Sequence, residues 1–156
     1  MLRCGLHCDA ALYDYRGKPL VVAFYVADWH PVCTTQLERY GDLTPQLERL
    51  NTSLVAISAD TVWSHAAFTR VHRFPFPLLA DDAPRGATAR AYGVYDAVRA
   101  APARALFVLD ADGRVTWSAS FPEAVDPGVD GILSALEAFP SHPLPKAALS
   151  IKERKD

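Results

Sequence analysis

Apolar residues in this 156-residue chain fall into short runs, with polar turns between them. The densest run is PLVVAFYV at 19–26, β-branched and aromatic, which predicts a buried strand. It breaks into the polar loop Asp28-Trp29-His30-Pro31. Leu37, Tyr40, Leu43 and Leu47 then recur at helical spacing. That helix is expected to be interrupted near Gly41, Asp42 and Pro45 and to resume to about residue 50. SLVAIS at 53–58 reads as a second strand, so strand, helix and strand form a βαβ unit with the two strands parallel. A helix is expected over 61–71, ended by FPFP at 74–77. A short strand at 78–80 and a turn at Asp81-Asp82 follow, then a short helix at 87–92 stopped by Gly93. RALFVL at 104–109 reads as a strand, DADG as a hairpin turn and 114–118 as the returning strand, followed by a connector over 121–127. Ile132, Leu133, Leu136 and Phe139 give one apolar face to a last helix. Residues 1–13 are weakly patterned, a short strand or an arm, and 141–156 read as a mobile tail. Neither an internal repeat nor a low-complexity stretch is present.

This order of elements predicts a single α/β domain, a thioredoxin-like mixed central sheet with helices on both faces. Half the residues are apolar, enough for a sizeable core. A net charge of -2 with mixed signs points to neither nucleic acid nor an anionic membrane. No apolar run approaches the roughly 20 residues that span a bilayer, and the first residues lack a signal-peptide form. The expected location is the cytoplasm. Three cysteines are too few for a secreted disulfide scaffold, and C-x-x-C does not occur.

Cys33 stands where the first core strand has ended and a helix begins. Helix N-termini carry unpaired N–H groups and partial positive charge, and both stabilise a thiolate, so an accessible cysteine there is a reactive-thiol candidate. Cys4 and Cys8 flank His7. They read as two free thiols in a loose N-terminus, with a resolving thiol as the second reading; a metal site would need a further ligand. His65, His72 and His142 are expected on exposed helix or tail surface.

The run FYVADWHPVCTTQL resembles the active-site segment of peroxiredoxins of the alkyl hydroperoxide reductase and thiol-specific antioxidant family. VAISADTVWSHAAF, FPLLADD, ARAYGVY and RALFVLDADGRV resemble further landmarks of that family in the same order, covering about 14–114. The resemblance implies a peroxidatic Cys33 that attacks a peroxide oxygen and becomes a sulfenic acid. It implies that Arg104 lies beside the thiolate, stabilising it and holding the peroxide. Hydrogen peroxide and small alkyl hydroperoxides would be substrates, with no metal or organic cofactor. The reductant would be an external thiol such as a thioredoxin-like protein, or Cys4 or Cys8 acting as resolver, and the assembly a monomer or homodimer.

The family pattern Pro-x-x-x-Thr/Ser-x-x-Cys, usually with Glu three residues on, is altered here. Val26 stands at the Pro position, His30 at the Thr position and Gln36 at the Glu position. Val26, Trp29, Pro31 and Gln36 are the expected pocket residues, and His30 a substitute hydrogen-bonding group or proton shuttle. The rival reading is a catalytically degenerate member of the fold, a redox sensor or interaction module that has lost its peroxide geometry.

Overall fold

The computed structural model describes residues 1–138. The strands are β1 (Leu2–Gly5), β2 (Cys8–Ala10), β3 (Leu20–Phe24), β4 (Ser53–Ser58), β5 (Leu78–Ala80), β6 (Tyr95–Asp96), β7 (Ala101–Pro102), β8 (Arg104–Leu109) and β9 (Val115–Phe121). The helices are α1 (Pro31–Arg49), α2 (Val62–His72), α3 (Ala87–Ala91) and α4 (Asp130–Glu137). A seven-stranded sheet runs in the order β2-β1-β5-β4-β3-β8-β9, and β6 and β7 form a separate ribbon. β3 pairs in parallel with β4 and antiparallel with β8, so the sheet is mixed, as in a thioredoxin-like fold.

Every residue of β3 is buried, because the central strand is covered on both faces. Its side chains alternate. Val21 and Ala23, with Tyr25 beyond the strand end, join α1, α2 and α4 in one core cluster that includes Cys33, Leu37, Phe68 and Ile132. Leu20, Val22 and Phe24 join Leu2, Leu79 and Ala89 in the cluster on the other face.

The structure departs from the sequence reading at four places. The N-terminal segment is a paired hairpin rather than a loose arm: β1 joins β2 and β5, and Cys4 and Cys8 are bonded to each other, not free. A four-residue strand with little alternation is legible only through its partners. The helix α1 runs unbroken through Gly41, Asp42 and Pro45. A helix-interior proline costs about 3 kcal/mol, but Leu43 and Leu47 are buried on either side of Pro45, and each such leucine contributes about 1.5–3 kcal/mol. Gly41 serves packing instead of a break, since a Cβ there would lie 3.4 Å from the Pro75 ring. The returning strand β9 extends to Phe121, into the expected connector. His65 is buried on the inner face of α2, and His72 is only partly exposed because it stacks on Phe74. Phe139, His142 and the expected tail lie outside the described residues. Among the described residues no helix is long and apolar enough to cross a membrane.

Candidate active site

The site begins with the loop between β3 and α1. His30 is the N-cap of α1, and Pro31 fills the first helical position, where its missing N–H costs nothing. The His30 ring takes the place of the usual capping oxygen: its Nδ1 accepts the Cys33 N–H at 3.4 Å. The His30 carbonyl accepts the Thr34 N–H at 2.8 Å and the Thr34 hydroxyl at 2.9 Å. Cys33 therefore sits in the first turn, its sulfur beside the positive end of the helix. Its residue exposure is 0%, so the thiol lies beneath the surface.

Arg104 opens β8 on the strand next to β3, and its side chain is as deeply buried as the thiol. Its Nη1 donates to Cys33 Sγ at 3.3 Å. The same Nη1 donates to Gln36 Oε1, and Nη2 donates to the Glu123 carbonyl at 2.6 Å. One turn along α1 from Cys33, Gln36 passes the chain on by donating from Nε2 to the Tyr40 hydroxyl at 3.0 Å. The phenol of Tyr40 is pushed up from its ordinary value, burial being the main cause, so it remains a neutral hydroxyl.

The electrostatics of this cluster are lopsided. A buried guanidinium is costly without an anion near it. Among the described residues Arg104 makes no ion pair with a carboxylate, and its Nε has no hydrogen-bond partner. Among the described residues the one ionisable side chain its guanidinium hydrogen-bonds is Cys33.

Glu123 closes the site and was not anticipated from the sequence. Its carbonyl holds Arg104, while its carboxylate lies 3.4 Å from His30 Nε2 and 2.6 Å from Arg99 Nη1. No periodic or motif signal marks it, because it sits in an irregular segment after β9. His30 and Glu123 are partly exposed.

The expected pocket residues divide. Gln36 is in the cluster, and Val26 packs against the core that contains Cys33. Pro31 is at the exposed start of α1. Trp29 turns away to pack on Phe68, ring centroids 4.8 Å apart. Cys4 packs on the cluster of the opposite sheet face, and β1 lies three strands from β3, a lateral separation of about 14 Å at the usual strand spacing. The structure thus brings Cys33, Arg104, His30 and Gln36 together and leaves Cys4 and Cys8 elsewhere. No group of three or more metal-ligating side chains occurs among the described residues.

Comparison with known proteins gives a family and a fold. The AhpC/TSA family model matches residues 3–118. A peroxiredoxin of Hyperthermus butylicus is 33% identical over 132 residues, 80% of this chain and 56% of that protein. The crystal structure of peroxidoxin BcpB from Mycobacterium tuberculosis is 33% identical with a TM-score of 0.74, covering 83% of this chain and 86% of that one. The Xanthomonas campestris bacterioferritin comigratory protein, whose structures address alkyl peroxide reduction, is 26% identical with a TM-score of 0.79, covering 90% of each chain. The matched stretch spans little more than half the length of several curated relatives. With the family model covering most of its length and the same fold in solved relatives, the chain belongs to the AhpC/TSA family of peroxiredoxins.

Proposed function

We propose that this protein is a thiol peroxidase whose peroxidatic residue is Cys33, acting on hydrogen peroxide and small alkyl hydroperoxides. The observation that carries the reading is the buried Arg104 guanidinium with Cys33 as its sole ionisable contact. The thiolate attacks one peroxide oxygen, the O–O bond breaks, and sulfur keeps the attacked oxygen as a sulfenic acid. The leaving alkoxide or hydroxide takes a proton and departs as alcohol or water. Arg104 spans both states, holding the thiolate beforehand and the developing oxyanion during transfer. In this reading His30 takes the role a hydroxyl has in the family pattern, a hydrogen-bonding group for the leaving oxygen. Gln36 accepts from Arg104 without neutralising it, which leaves the guanidinium charge for the thiolate.

The reductant in this reading is an external thiol, a thioredoxin-like protein or a small thiol. It attacks the sulfenic sulfur, releases water and forms a mixed disulfide; a second thiol then frees Cys33. The closed Cys4–Cys8 bond on the other sheet face supports an external donor. Because the thiol is covered, peroxide enters where His30 and Glu123 meet solvent.

The test is peroxide consumption with excess thiol reductant. Cys33→Ser should abolish it, and a Cys4→Ser/Cys8→Ser double variant should retain it. Equal loss in the double variant would place the N-terminal pair in turnover and overturn the external-thiol scheme. Full activity in Cys33→Ser would overturn the site.

A further inference from the structure

A second buried polar cluster lies behind the β3–α1 loop, and the peroxidase chemistry does not use it. Asp28 is its hub, 7% exposed. Its carboxylate accepts from the Tyr25 hydroxyl at 2.6 Å, from the Ser64 hydroxyl at 2.7 Å and from His65 Nδ1 at 2.8 Å. Its backbone N–H donates to Asp60 Oδ2 at 2.9 Å, and that oxygen also accepts from the Ser58 hydroxyl at the end of β4. One loop residue is thus tied to β3, β4 and α2 at once. Tyr25 is fully buried, and burial together with the Asp28 carboxylate pushes its phenol well up, so it stays a donor.

The hub lies in the loop that leads to Cys33. Trp29, next in the chain, has a φ of 68°, a left-handed conformation unfavourable for a bulky residue. Such strain persists where the surroundings over-determine it. Asp28 holds the backbone on one side, and on the other the Trp29 ring packs on Phe68. His30 follows directly, and its ring takes the Cys33 N–H.

We propose that Asp28, with Tyr25, Ser64 and His65, is a positioning cluster that sets His30 and the first turn of α1 for reaction of Cys33 with peroxide. None of the four donates to or accepts from Cys33 or Arg104, so they act through the loop and not on substrate. The proposal rests on Cys33 being peroxidatic.

The experiment compares two rates on each protein, oxidation of Cys33 by hydrogen peroxide and its alkylation by iodoacetamide. Both need an exposed moment of the thiolate; only peroxide reduction also needs aligned donors around the oxygen being transferred. Asp28→Asn should lower the peroxide rate at least about tenfold and the alkylation rate less than about threefold. Ser64→Ala, which deletes one hydrogen bond to Asp28 from a partly exposed side chain, should move the ratio of rates the same way by a smaller factor. It decides the matter if Asp28→Asn does not fold. Equal changes in both rates, or no change with the fold retained, would overturn the positioning role and leave a purely structural cluster. A wild-type Cys33 inert to peroxide would remove the peroxidase reading, and the positioning claim with it. A reactive wild type with an unmoved ratio would remove the positioning claim alone.

Discussion

His30, read from the sequence as one of three departures from the family pattern with Val26 and Gln36, is engaged at both ring nitrogens. Nδ1 caps the helix through the Cys33 N–H, and Nε2 faces the Glu123 carboxylate. A threonine hydroxyl could cap the turn but could not also reach Glu123. His30→Thr should therefore loosen the Glu123 segment while restoring space and a hydroxyl beside Cys33, so reaction with peroxide should quicken several-fold. An unchanged peroxide rate in His30→Thr would show that the ring takes no part in the chemistry. At this scale the sequence was informative where residue type and chain position coincide. Cys33 was marked by its place where a strand gives way to a helix, and Arg104 by the family resemblance of the strand it opens. Glu123 was not, because a backbone carbonyl serves Arg104 and any residue could provide one. Asp28 and His65 were not either: both lay in plain sight, but a loop carboxylate and a helix histidine read as solvated until β3 and α2 are seen to meet.

The elements were legible in proportion to their burial on both sides. β4, β5 and β8 begin and end where their apolar runs do. The hairpin of β1 and β2 has too few residues to show a period, and α1 hides its continuity behind Gly41 and Pro45, where the packing of Gly41 on Pro75 and the burial of Leu43 and Leu47 override propensity. The start of α3 offers a clean test of local constraint. Gly86 caps it at a φ of 74°, and a Cβ there would fall 2.2 Å from the Tyr95 ring. That ring is held beneath Arg90, whose guanidinium lies 3.9 Å from its centroid. Gly86→Ala should cost about 2–4 kcal/mol from left-handed strain and overlap together, read as a lower urea midpoint. Adding Tyr95→Ala should recover the part due to overlap; a Gly86→Ala protein as stable as wild type would show that the loop shifts freely.

Across the whole molecule, four tyrosines carry phenols raised from their ordinary value of 10.0, Tyr25, Tyr40 and Tyr92 chiefly by burial, and Tyr15 by burial with Asp14 beside it. A raised folded-state value means the native protein holds protons that the unfolded chain releases above about pH 10. Their contribution is complete below that pH and is lost as pH rises through the folded values. Unfolding midpoints should fall steeply above about pH 10, and Tyr25→Phe or Tyr40→Phe should flatten that fall; an unchanged slope in both variants would contradict the assignment. Neutral buried phenols, a charged buried arginine and a covered thiol together describe a core with one unmatched positive charge, placed against one sulfur. The direct test is stopped-flow oxidation of Cys33 by hydrogen peroxide in the native protein and in the same protein unfolded in urea, at one pH, with the product read by mass spectrometry. Preorganisation around Arg104 predicts that the native rate exceeds the unfolded rate by orders of magnitude, rises linearly with peroxide, and leaves a sulfenic acid on Cys33. A native rate equal to or below the unfolded rate would contradict it.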